Sequence, residues 1–221
     1  MKEVALTRRQ SEFADLWIWD KLDGSLPWYR AVSTNKMPAK YLICRRIPCE
    51  VDFRHTSEEE LWQEHERLTR VFLDTRSCIR NGETQLKNLE TPKVSLLDLC
   101  VELAERMLTH CNFCRWYCKV DRAQGAKRGT CQLESVSKVG SYFHHRGEEL
   151  VFRGTAGSGT IFFTSCNMRC VFCQNGDISH DKDNGIATTA EQLALMAWQL
   201  RTEGSHNINW VGGEPTIHLH D

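Results

Sequence analysis

Within a chain of 221 residues, the stretch Phe163-Thr-Ser-Cys-Asn-Met-Arg-Cys-Val-Phe-Cys-Gln-Asn175 narrows the possible folds most. It overlaps the end of the short apolar run Thr160-Ile-Phe-Phe-Thr164, which reads as a buried strand. It puts Cys166, Cys170 and Cys173 in a C-x3-C-x2-C array where that strand ends. Three thiolates so closely spaced suit an iron–sulfur cluster. A [4Fe-4S] cube takes four protein thiolates as a rule, so a site built from three leaves one iron open to a ligand that is not protein. Two other readings of the same residues stand beside this one. A structural zinc ion wants four ligands and finds no fourth cysteine nearby, only His180. Ordinary free thiols need no ligand at all.

The residues after the array give it a place in a fold. Thr188 with Glu191 reads as a helix cap, Leu193, Met196, Ala197 and Leu200 form the apolar stripe of that helix, and Gly204 ends it. Asn207-Ile-Asn-Trp-Val211 then reads as a second strand. The order strand, loop, helix, strand predicts parallel strands joined by a crossover. Gly212-Gly-Glu-Pro-Thr216 leaves the second strand at the end where the cysteine loop leaves the first. In parallel α/β barrels that end carries the catalytic residues. Gly212 and Gly213 let backbone approach a ligand closely, and the Glu214 carboxylate complements an ammonium group. Phe172 offers a flat apolar surface beside the cysteines. Asn167, Met168 and Arg169 shape the loop and are assigned no chemistry.

A second set of cysteines lies upstream. Cys111-Asn-Phe-Cys114-Arg-Trp-Tyr-Cys118 continues through Val120-Asp-Arg122, Gly125 and Gly129 to Cys131. Four thiols can close a metal site completely, around zinc or a second iron–sulfur cluster, and the spacing does not choose between them. The two glycines permit the tight return that brings Cys131 back. Scattered thiols are the plain alternative.

The three-cysteine array, with an aromatic residue before its last cysteine, and the Gly-Gly-Glu-Pro segment after the next strand resemble the signatures of the radical S-adenosylmethionine (SAM) enzymes. The resemblance implies that the amino and carboxylate groups of SAM chelate the open iron of a [4Fe-4S] cluster. Phe172 is then implied to lie near the adenine, with Gly212, Gly213 and Glu214 holding the SAM amino group. It also implies reductive cleavage of SAM to a 5′-deoxyadenosyl radical that takes hydrogen from a substrate. An electron donor such as flavodoxin or ferredoxin is implied as well, together with a substrate, a protein among the candidates, that the residues do not name. Over about residues 111–217 the layout is similar to one subgroup, the proteins related to pyruvate formate-lyase activating enzyme. The matching parts are the C-x2-C-x3-C segment with its V-x-R and G-x-C continuation, Gly157-Ser-Gly-Thr-Ile-Phe-Phe163, and Cys166 to Asn175. True activating enzymes lack the upstream set or carry extra cysteines after the main array, so the resemblance implies kinship and not that substrate.

The expected fold class is α/β, the start of a partial (β/α) radical SAM barrel with its first strand, first helix and second strand. A mostly helical region, residues 1–110, and a cysteine-rich segment with a hairpin, residues 111–153, precede this part, residues 154–221. Later barrel strands are not supplied before Asp221, so the expectation is an N-terminal fragment, inactive alone. His218 and His220 read equally as loop residues or as functional ones. Upstream, Ser57 with Glu60 caps a helix with Leu61, His65, Leu68 and Phe72 on one face, His65 being a tolerated helix residue. Ser95 with Asp98 caps another, running to about Thr109 with Leu96, Leu99, Leu103 and Met107 as its stripe. Ser135 to Phe152 reads as two short strands around His145-Arg-Gly147, and Gly154 to Gly159 as a glycine-rich link. Trp17, Trp19, Trp28 and Tyr29 read as packing residues.

Composition mostly excludes. With 28 basic against 29 acidic residues the net charge is -1, so no global field draws the chain to nucleic acid or an anionic membrane. The local basic cluster of Lys119, Arg122, Lys127 and Arg128 reads as a solvated loop. Met1 to Gln10 is charged and lacks an apolar core, and no stretch has the apolar length of a membrane span, so a cytoplasmic location is expected. In a reducing compartment 11 cysteines point to metal or redox chemistry before disulfides. Cys44, Cys49, Cys78 and Cys100, outside both sets, read as buried free thiols. Two rival classes remain open: a non-enzymatic zinc or iron–sulfur binding module, and an electron-transfer protein with two clusters.

Overall fold

The structure, a computed structural model, describes residues 25–125 and 128–221. Trp17, Trp19, Lys127 and the segment Met1 to Gln10 lie outside the described residues. The chain divides into two compact units, residues 28–110 and residues 111–219.

The first unit is helical. It holds α1 Pro27–Ser33, α2 Lys40–Cys44, α3 Glu58–Arg80 and α4 Leu96–Thr109. The capping box that opens α3 forms as read: Ser57 Oγ accepts from the Glu60 amide at 3.3 Å while the Glu60 carboxylate accepts from the Ser57 amide at 3.0 Å. At α4, Asp98 accepts from both the amide and the hydroxyl of Ser95, 2.8 and 2.6 Å. The helical period then turns Leu61 and Leu68 of α3 and Leu96, Leu99 and Leu103 of α4 inward, where they pack with Ile43, Ile47 and Ile79. Leu108 is buried while Met107 is half-buried. Trp28 packs against this core beneath the Arg76 guanidinium, 5.1 Å from its ring. His65 is half-buried against the edge of Trp62, and burial holds its imidazole below its ordinary pKa.

The second unit is built on a sheet. Its strands are β1 Ser137–His145, β2 Ser158–Phe163, β3 Ile186–Thr188 and β4 Ile208–Gly212, in the order β3-β1-β2-β4. β2 and β4 are parallel, with Phe163 opposite Gly212; β1 runs antiparallel to both β2 and β3. Two single-turn helices, α5 Leu150–Arg153 and α6 Gly176–Ser179, lie in the connections, and the helix between β2 and β4, α7 Ala190–Thr202, covers one face. Ile161 and Phe163 alternate toward α7 and meet Leu193 and Leu200, with Met196, Ala197 and Ile208 beside them. The result is a mixed α/β unit with an open sheet of four strands among the described residues.

Three local readings change. Leu150 to Phe152 forms a helical turn instead of the second hairpin strand. A short unbroken apolar run does not distinguish strand from helix, and β1 pairs instead with β2, from His145 opposite Ser158 to Val139 opposite Phe163. The cap of α7 sits one residue later, on Thr189 with Gln192, because Thr188 is still paired in β3 opposite Ser137. The basic cluster is not a uniformly solvated loop: Arg122 is only 2% exposed.

Candidate functional site

The parallel pairing of β2 and β4 decides the geometry. Both strands end at one edge, and their ladder continues past them: the Gly213 amide donates to Phe163 O at 2.9 Å and the Glu214 amide to Ser165 O at 3.1 Å. The Gly-Gly-Glu turn therefore lies directly against the residues that lead into Cys166. Only glycine fits there. A Cβ on Gly213 would stand 1.5 Å from Ser165 O, and one on Gly212, whose φ is +94°, would stand 2.4 Å from Phe163 O. The Glu214 carboxylate accepts from the amide and hydroxyl of Thr216, at 3.0 and 2.7 Å, which fixes its direction.

In the cysteine loop, Cys166 is buried and Cys170 and Cys173 half-buried, all as free thiols. A turn closes the second half, with the Cys173 amide donating to Cys170 O at 3.1 Å. Two sulfurs already receive donors: the Met168 amide reaches Cys166 Sγ at 3.3 Å and Ser179 Oγ reaches Cys173 Sγ at 3.4 Å. Such bonds fix the direction of each sulfur. Ser165 and Arg169 hold positive φ, 68° and 48°, a conformation that non-glycine residues keep only when their surroundings enforce it. Phe172 is 87% exposed, its ring free to meet a ligand. On the sheet face away from α7, a cavity of about 520 Å³ is lined by Phe162, Val211, Gln174 and Asn175 among others.

The upstream cysteines fold back on themselves. The Cys111 amide donates to Val120 O at 2.9 Å and the Lys119 amide to Cys111 O at 3.0 Å, which returns the chain after Cys118 to Cys111. Gly129 lies against Cys118, where a Cβ would stand 2.8 Å from Sγ, and Cys118 Sγ is 3.8 Å from Thr130 Oγ1. Burial pushes the Cys131 thiol up; the amide of Leu133 and then Arg122 oppose that, and the nearby Cys111 and Cys114 thiols add to it. This segment is also bonded to the three-cysteine loop. Trp116 Nε1 donates to Asn167 O at 2.8 Å, Arg169 Nε to Thr130 O at 3.1 Å, and Ser165 Oγ to Cys131 O. Arg122 donates to Glu134 O at 2.8 and 3.1 Å and to Ile217 O at 2.9 Å, under the Phe113 ring.

Among the described residues, no three histidine, cysteine, aspartate or glutamate side chains are drawn tightly enough together to hold a metal ion. The backbone gathers each cysteine set while its thiols stand apart, and exposed His180 joins neither. The donor chemistry nevertheless fits thiophilic metal: free thiols in turns, amide and hydroxyl donors at sulfur, and no disulfide among the described residues. The sequence does not single out Ser179 or Trp116 for the site, and it marks Arg122 only as part of the V-x-R pattern, since a donor to sulfur or carbonyl has no motif of its own. His218 is a packing residue: buried, stacked 4.7 Å from Phe163 and bonded to Thr164 O at 3.2 Å. That carbonyl only accepts, so Nε2 carries a proton.

Residues 160–221, from β2 through the cysteine loop to the end of the Gly-Gly-Glu-Pro turn, match the family model of the Radical SAM superfamily. Most of the chain is also similar to a relative. An uncharacterized protein of Methanocaldococcus jannaschii is 38% identical over 198 residues, which cover 86% of this chain and 54% of that protein. The chain thus spans about half the length of the curated relative it matches. No solved structure matches it significantly. Among the described residues, no helix is long and apolar enough to cross a membrane.

Proposed function

We propose that this chain is the SAM- and cluster-binding part of a radical SAM enzyme, akin to the proteins related to pyruvate formate-lyase activating enzyme. One observation carries the reading. The three-cysteine loop and the Gly212-Gly213-Glu214 turn meet at one edge of the parallel pair β2 and β4, within the segment similar to the Radical SAM superfamily. Cys166, Cys170 and Cys173 hold a [4Fe-4S] cluster, and the donors on Cys166 and Cys173 temper its sulfurs. When bound, the cluster and SAM supply the reductive cleavage that yields methionine and a 5′-deoxyadenosyl radical for hydrogen abstraction. Gly212 and Gly213, packed without side chains against Phe163 and Ser165, would present the turn's backbone to the SAM amino group, Glu214 would offer it a carboxylate oriented by Thr216, and Phe172 would cover the adenine.

In this reading residues 154–221 begin a (β/α) barrel, and the enzyme works in the cytoplasm with a flavodoxin- or ferredoxin-like donor. Its substrate is left open. The test is anaerobic reconstitution with iron and sulfide. A reduced [4Fe-4S] signal in electron paramagnetic resonance that shifts on adding SAM, and is lost in Cys170→Ala, supports the proposal. A colourless protein indifferent to SAM refutes it.

A further inference from the structure

We infer that Cys111, Cys114, Cys118 and Cys131 close around a second thiophilic metal centre, zinc or iron–sulfur, which positions the three-cysteine loop. Backbone pairing returns the chain after Cys118 to Cys111, a turn bonds the Tyr117 amide to Cys114 O, and Gly129 and Thr130, just before Cys131, lie against Cys118 Sγ. These contacts gather the backbone of the four cysteines, and ligation would turn side chains that now stand apart toward one another. Four thiolates leave no open position, so the centre is structural in kind.

An independent observation points to a negative group at this place. Arg122 is a cation with 2% exposure, and among the described residues its bonds run to the carbonyls of Glu134 and Ile217 and to no carboxylate. A buried charge without a counter-charge is costly. Four thiolates on zinc, or on an iron–sulfur cube, carry net negative charge, and Arg122 lies under Phe113, the neighbour of Cys114. Backbone conformation agrees: Tyr117, Lys119 and Gln132 hold positive φ of 47°, 54° and 60° within the same segment. Metal ligation offsets that strain.

The positioning role rests on three bonds. Trp116 to Asn167 O, Arg169 to Thr130 O, and Ser165 to Cys131 O join residues beside the proposed ligands to residues beside Cys166 and Cys170. Cys131 is at once a ligand and, through its carbonyl, the anchor of Ser165. This role depends on the radical SAM reading, whereas metal binding does not.

The experiment therefore measures the second centre with the first removed. The full chain carrying Cys166→Ala, Cys170→Ala and Cys173→Ala, purified anaerobically, is expected to retain one metal centre per chain with sulfur ligands by X-ray absorption. Zinc without labile sulfide marks one source; iron with labile sulfide marks the other. In the wild-type chain, mass spectrometry after alkylation is expected to find these four cysteines protected together until a chelator is added, while Cys78 reacts throughout. A triple variant without metal, or four thiols that alkylate as Cys78 does, overturns the inference. For positioning, Cys118→Ser is expected to leave the [4Fe-4S] signal but weaken its SAM-induced shift. If zinc is the metal, Cys118→His restores that shift. An unchanged shift in a Cys118→Ser protein that has lost only the second centre overturns the role.

Discussion

Arg122 shows how much one side chain can hold. Its guanidinium joins the cysteine-rich segment, through Glu134 O, to the turn after β4, through Ile217 O, so it fixes the segment against the Gly-Gly-Glu-Pro region. Arg122→Met keeps the apolar stem but leaves both buried carbonyls without donors, at about 1–3 kcal/mol each. A fall in unfolding free energy of about 2–6 kcal/mol in urea titration is the expected outcome; an unchanged midpoint would contradict it. The V-x-R pattern marks Arg122 but does not announce what it bonds, since its partners lie 12 and 95 residues away. Asp183 behaves differently. Bonded by Lys138 and then Lys182, its carboxyl is held down to about 2. Its pKa is lowered, so its contribution is present above the ordinary carboxylate value and is lost as pH falls toward 2. Carboxyl NMR titration is expected to place Asp183 near 2 and to show it rising in Lys138→Met; a value that ignores the substitution would rule out the ion pair.

Elements that set their own boundaries were legible. The Ser57–Glu60 capping box, the stripe of α7, and the parallel strands on either side of it rest on residues a few positions apart. β3 was not legible: it has three residues, and Ile186 is 78% exposed, so no burial pattern announces an edge strand. The turn after β4 was legible in kind, through two adjacent glycines, but its contact with Ser165 appears only once β2 and β4 pair. Gly213→Ala tests that contact. A Cβ 1.5 Å from Ser165 O forces the turn away from the loop, because the obstacle is backbone and cannot rotate aside. Melting temperature is expected to fall, and the SAM-induced change in the cluster spectrum to vanish; Pro215→Ala, outside the contact, is expected to keep both. Equal behaviour of the two variants would show that the close approach carries nothing.

For the whole molecule, the sequence placed both cysteine sets and the glycine turn, but not the bonds that join them. Trp116 reaches Asn167 across 51 residues and Ser165 reaches Cys131 across 34. These contacts put the cysteine-rich segment and the open sheet into one compact unit. The upstream residues are thus bonded directly to the loop that carries Cys166 and Cys170. The central claim is that Cys166, Cys170 and Cys173 leave one iron for SAM beside Glu214. Electron–nuclear double resonance of the reduced, reconstituted protein with SAM labelled at the amino nitrogen and carboxylate oxygen tests this most directly. Strong coupling of both labels to the cluster, abolished in Cys170→Ala, is the predicted result. A cluster that forms but shows no coupling to either label would contradict it.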